Sequence, residues 1–125
     1  MILDTNSLSA LAARDRALLR LLGTADALFI SFVAVAEFQF GLLGSTRPQA
    51  GIALLDQLCA NVPVLYPEAE TLAHYAAIAD QLKRIGHPVP HNDIWTAALA
   101  RQHALPVLSR DRHFDFIDGI QRLDW

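Results

Sequence analysis

The chain has 125 residues, 53% of them hydrophobic and only 18% charged, with a formal net charge of −3. That length suits one domain with a core that needs no staples, and the apolar bias points to a filled interior and to a face that a partner or second copy covers. The single cysteine, Cys59, excludes a disulfide framework and CxxC metal sites, and no global basic field advertises nucleic acid.

Met1-Ile2-Leu3 predicts a short buried strand with Asp4 at its end. Thr5, Asn6 and Ser7 are N-cap candidates for a helix over "SLSALAA", and "DRALLRLLG" is a second helix closing at Gly23. "ALFIS" predicts a buried strand, "VAVAEFQFGLLG" a helix, "RPQAGIALLDQLCANV" a further helix with Cys59 as a buried thiol, and "PVLY" a strand. The long helix "EAETLAHYAAIADQLKRIG" has acids in its first turn, Lys83 and Arg84 in its last, and Gly86 as its stop. After the proline loop "HPVPH", Asn92 is the expected N-cap of "DIWTAALARQHA". "LPVLS" predicts a strand, "RDRHFDF" a loop or helical turn, and "IQRLDW" a terminal strand. Four or five short strands alternating with helices predict one α/β domain over residues 1–125, with a parallel sheet covered on both faces. No charged leader and no long apolar run interrupts it, so the expectation is a soluble, cytoplasmic protein without a membrane segment.

The chemistry is carried by acids in apolar surroundings. On a helical wheel Glu37 shares its face with Val33, Ala34, Phe40 and Gly41, where an ionised carboxylate is costly unless it is paired or binds a metal. Asp93 opens a helix that is apolar nearly all round, and suits either a dipole-favoured first turn or a site. Asp4 and Asp111 each stand just past the end of a strand, positions that suit a cap or a turn as well as a ligand crevice. Ser109 offers a hydroxyl beside Asp111, and Asp115 lies nearby, while Asp118 before Gly119 suits a turn. Carboxylates converging at one sheet edge repel one another, and a hard divalent cation such as Mg²⁺ or Mn²⁺ resolves that repulsion.

"LDTN", Glu37, "HNDIWTAALA" and "VLSRDRHF", in that order, resemble the PIN-domain ribonucleases, and within them the VapC toxins of bacterial toxin–antitoxin pairs. The resemblance spans essentially the whole chain. It implies a PIN-like three-layer α/β/α sandwich with a short, mostly parallel sheet of four or five strands. It further implies Mg²⁺-dependent cleavage of RNA by an in-line water, leaving a 5′-phosphate and a 3′-hydroxyl, with Mn²⁺ as a substitute. Asp4, Glu37, Asp93 and Asp111 match the acidic quartet that holds the metal and catalyses, with Asp4 and Asp93 the firmest ligands. Asn6 and Ser109 match polar positions lining the site. Position 113 is His where relatives often carry another acid, and His113 joins Arg110 and Arg112 as candidate RNA-phosphate contacts. The implied partners are RNA, a small VapB-like antitoxin whose tail blocks the site, and a second toxin subunit. Two other readings compete. One is a catalytically silent PIN-fold module that binds a basic partner segment through its acids. The other is a receiver-type domain phosphorylated on Asp4, which the missing paired early acids and later Lys disfavour.

Overall fold

A computed structural model describes residues 1–125. The elements are β1 (Ile2–Leu3), α1 (Thr5–Ala12), α2 (Arg16–Leu22), β2 (Phe29–Ser31), α3 (Phe32–Leu43), α4 (Gln49–Asn61), β3 (Val64–Leu65), α5 (Ala69–Ile85), α6 (His91–Gln102), β4 (Val107–Leu108), a 3₁₀ turn (Arg112–Phe116) and β5 (Arg122–Leu123). The five strands are only two or three residues long, mostly Ile, Leu, Val and Phe with Ser31 ending β2 and Arg122 opening β5, and they pair in parallel in the order β3-β2-β1-β4-β5. Leu3 sits beside Ile30 on one side and Leu108 on the other.

The strand order explains the layers. From β1 the chain steps outward through β2 to β3, then crosses back to β4 and on to β5. Right-handed crossovers in opposite directions lay their helices on opposite faces of a sheet. The pleat divides the core accordingly, because successive side chains of a strand point to opposite faces. Leu3, Ile30 and Leu108 pack with Leu8, Leu18 and Ala34 of α1 to α3. Ile2 and Val107 pack with Ile78 and Leu82 of α5, Ile94 and Ala97 to Ala100 of α6, and Phe114 and Ile117 beyond β4. The result is a three-layer α/β/α sandwich on a wholly parallel five-stranded sheet, as the alternation of apolar runs predicts.

Four local expectations shift. α1 begins at Thr5 rather than Ser7, because β1 runs straight into it with Asp4 as the N-cap residue. The expected strand over residues 1–3 is correspondingly reduced to Ile2–Leu3. α6 begins at His91 with Pro90 as its N-cap, so Asn92 lies inside the first turn instead of capping it. Cys59 is exposed on α4 rather than buried, since the packed face of α4 is centred on Leu54, Leu55 and Leu58 and Cys59 lies at its margin. Gly86 ends α5 at φ +67°, the left-handed conformation its lack of a Cβ permits. No helix is long and apolar enough to cross a membrane.

Two glycine substitutions should act with opposite signs. Gly86→Ala meets no neighbouring atom but keeps a positive φ, and should cost about 1–2 kcal/mol. Gly41→Ala, equally free of neighbours inside exposed α3, should stabilise by up to about 1 kcal/mol. Urea unfolding of the two variants measures both.

Candidate active site

In a parallel sheet with this strand order, the chain changes direction between β1 and β4, and a crevice opens at the carboxyl ends of those two strands. Asp4 follows β1 there, and Ser109 and Asp111 follow β4. A cleft of about 350 Å³ at that point has no apolar lining residue; Asp4, Glu37, Asp93 and Asp111 all line it, together with Thr5, Asn6, Ser9, Pro90 and Asn92. The four acids predicted from sequence therefore meet in one place. None of them pairs with an Arg or Lys.

Asp4 is the most enclosed, only 5% exposed. Its carboxylate makes no capping bond to α1, although the residue occupies the N-cap position. The cap and site readings of Asp4 thus separate: its backbone carbonyl accepts Leu8 N–H (3.1 Å) and Ser7 Oγ–H (2.7 Å), while its carboxylate lines the cleft and accepts from the fully buried Ser109 behind it. Ser109 Oγ donates to Asp4 Oδ2 (2.9 Å) and accepts from Asn6 Nδ2 (3.1 Å) and from the Asp111 N–H (2.9 Å). One hydroxyl used as one donor and two acceptors locks β1, α1 and the segment after β4 together. Asn6 Oδ1 completes the tie by accepting the Arg110 N–H at 3.2 Å.

Glu37 is half-buried on α3. Its expected apolar face is only partly buried: Val33 and Ala34 lie in the core, whereas Phe40 is 77% exposed and Gly41 is open to solvent. Two polar donors hold the carboxylate instead, Thr5 Oγ1 on Oε2 and Asn92 Nδ2 on Oε1 (2.5 Å). Thr5 and Asn92, which the sequence offers only as cap candidates, are thus cleft-lining residues that hold Glu37. Their signal was proximity to Asp4 and Asp93 one residue away.

Asp93 sits in the first turn of α6, whose burial is pinned by a hydroxyl pair, Ser31 Oγ at the end of β2 and Thr96 Oγ1 (3.0 Å), both fully buried. Thr96 is three residues after Asp93 and hence on the same face. Asp111 serves both of its sequence readings at once, since its Oδ1 accepts the His113 N–H (2.9 Å) to start the 3₁₀ turn while the residue lines the cleft. His113 lies among the acids, Nδ1 being 2.8 Å from Asp93 Oδ2 and 2.9 Å from Asp111 Oδ1.

The basic candidates divide. Arg110 is engaged by Asp15 Oδ2 and the Trp125 carbonyl, both at 3.1 Å, and stacks 4.5 Å over the Trp125 ring. Arg112 is exposed and makes no ion pair. Asp115 is taken up by Arg122, which also binds Asp124 and the Ser109 carbonyl, so it stands outside the cluster.

The electrostatics follow from burial and crowding. Burial pushes the Asp4 carboxyl up to about 6, with Asp93 and Glu37 adding to the rise and the Ser109 hydrogen bond opposing it. Burial also raises Asp93, and Asp111 and Glu37 add to that rise, whereas the His113 contact holds it down. A partly buried cluster of carboxylates, with one histidine and no Arg or Lys among them, fits a divalent cation, which prefers oxygen donors.

The PIN domain family matches residues 1–120. Ribonuclease VapC1 of Haemophilus influenzae (strain R2866) is 34% identical over 101 residues, spanning 80% of this chain and 75% of its own. The tRNA(fMet)-specific endonuclease VapC of Shigella flexneri is 29% identical over 97 residues, 77% of this chain and 74% of its own. Among solved structures, VapBC-1 from nontypeable Haemophilus influenzae superposes with a TM-score of 0.87 at 29% identity, covering 99% of this chain and 96% of that one.

A carboxyl whose folded pKa exceeds its unfolded value favours folding below the unfolded pKa, and that contribution is lost as pH rises through the folded pKa. For Asp4 the window runs from about pH 4 to about 6 and carries about 3 kcal/mol. In chelator, the unfolding free energy of Asp4→Asn relative to the unsubstituted protein should therefore increase by about that amount between pH 4 and 7. Saturating divalent cation should raise the melting temperature of the unsubstituted protein and leave Asp4→Asn nearly unmoved. Equal pH profiles in chelator would contradict the burial of this charge.

Proposed function

The chain belongs to the PIN-domain family, and from that premise we propose that it is an endoribonuclease, the toxin of a VapBC-like toxin–antitoxin pair, working with Mg²⁺ held among Asp4, Glu37, Asp93 and Asp111. The observation that carries this reading is the meeting of those four carboxylates, without an Arg or Lys partner, in one polar cleft at the carboxyl ends of β1 and β4.

The residues divide the work. Asp4 and Asp93 are the principal ligands, the first held in place by Ser109 and the second by the anchorage of α6 through Ser31 and Thr96. A divalent cation bound there supplies charge neutralisation and Lewis acidity toward a phosphodiester oxygen. Glu37, with each oxygen fixed by one donor, is oriented to accept a hydrogen bond from the attacking water. Asn6 and Ser109 keep the two sides of the cleft in register. Arg112, exposed and free of ionic partners, is the better phosphate contact; Arg110 is committed to Asp15 and Trp125. Support for a protein partner comes from the VapBC relatives and from a groove between α3 and α4, where Leu43 is 84% exposed and Ile52 is open; Phe40, also on α3, is exposed outside that lining. Neighbouring exposed apolar side chains of this kind suit a contact with another chain.

Purified protein should cut RNA with Mg²⁺ or Mn²⁺ and not in chelator. Asp4→Asn and Asp93→Asn should each lose about a hundredfold or more of that rate, with an unchanged circular dichroism spectrum. Undiminished cutting in chelator would refute the reading. Capture of a basic peptide without turnover under any cation would replace it with the silent binding module.

A further inference from the structure

We propose that His113 is a nitrogen ligand of the cation centre, alongside Asp93 and Asp111, and that it shifts the preference of that centre toward Mn²⁺ and away from Mg²⁺. This deepens the metal-dependent reading above and rests on it.

The geometry is that of adjacent ligands. His113 Nδ1 stands 2.8 Å from Asp93 Oδ2 and 2.9 Å from Asp111 Oδ1, and one donor atom from each of the three residues lies within 4.8 Å of the others. Neighbouring corners of an octahedron with bonds of about 2.0–2.1 Å are about 2.9 Å apart, the spacing found here. Hydrogen bonding alone gives a weaker account, because Nδ1 carries at most one hydrogen and faces two carboxylate oxygens.

The ring is also carried on a rigid support. The His113 N–H is bound by Asp111 Oδ1, which ties the residue to one of its fellow ligands through the backbone. The next residue, Phe114, is fully buried in the α5/α6 side of the core and fixes the 3₁₀ turn from behind. His113 is thus aimed into the cluster by two independent anchors.

The chemical consequence follows from donor type. Mg²⁺ takes an all-oxygen shell and keeps its waters, whereas Mn²⁺, although it also favours oxygen, is a first-row transition-metal ion and accepts an imidazole nitrogen at less cost. Replacing one oxygen position by Nδ1 therefore weakens Mg²⁺ relative to Mn²⁺ at this centre.

Pulsed EPR of Mn²⁺ bound to the full chain reads the ligand directly, and calorimetry of Mn²⁺ and Mg²⁺ reads the preference, neither requiring RNA. Nitrogen modulation from a coordinated imidazole should be present in the unsubstituted protein and absent in His113→Gln. His113→Asp should lower the ratio of Mn²⁺ to Mg²⁺ affinity by about tenfold. Bound Mn²⁺ without nitrogen coupling, coupling that survives in His113→Gln, or an unchanged ratio in His113→Asp would each overturn the assignment while leaving the nuclease reading intact. Failure of Mn²⁺ to bind at all would remove both.

Discussion

Like charges crowded into a half-dry cleft set the terms for everything else in this molecule. Asp4 is nearly sealed at the end of a central strand, and Glu37, Asp93 and Asp111 come close enough to raise its proton affinity or that of one another. In a surface cluster water would disperse this repulsion; at the end of β1 it is much less able to. Apart from the His113 ring beside Asp93 and Asp111, the fold holds the arrangement with neutral donors and with no Arg or Lys. Ser109 and Asn6 brace Asp4, Thr5 and Asn92 brace Glu37, and a buried hydroxyl pair holds the helix that presents Asp93. Hydroxyls and amides orient carboxylates without cancelling their charge, which leaves the charge available to a cation.

Much of this was legible in the residues because the sheet is parallel and its strands are buried. Ile2-Leu3, Phe29-Ile30, Val64-Leu65 and Val107-Leu108 are apolar runs too short for helices, and Asp4 directly after the first and Asp111 shortly after the last mark two strand ends. Glu37 stands out as the only charged residue of α3, and Asp93 as an acid directly before the largely apolar run Ile94 to Ala100 of α6. Periodicity therefore indicates where a carboxylate lies along an element, and parallel topology brings those positions to one edge.

The remainder depended on tertiary contacts that no periodicity encodes. Thr5 and Asn92 look like caps because Thr and Asn commonly cap, and only the meeting of α1, α3 and α6 turns them onto Glu37. Arg110 looks like a phosphate contact from its adjacency to Asp111, yet Trp125 and Asp15 claim its guanidinium from distant parts of the chain. The exposure of Phe40 beside the core residues Val33 and Ala34 has the same origin, since α3 packs through only part of its circumference. Cys59 likewise shows that an apolar helix in a small domain need not be enclosed.

The direct join of β1 to α1 at Asp4 makes the chain there intolerant of changes in length. One residue inserted between Leu3 and Thr5 would either pull the strand out of register or rotate the helix by about 100°. Thr5 and Asn6 would then swing away from α3 and from Ser109 together, dismantling two sides of the pocket at once. The α3–α4 connection, residues 44–48, has spare backbone that could absorb an added residue; this seam has none.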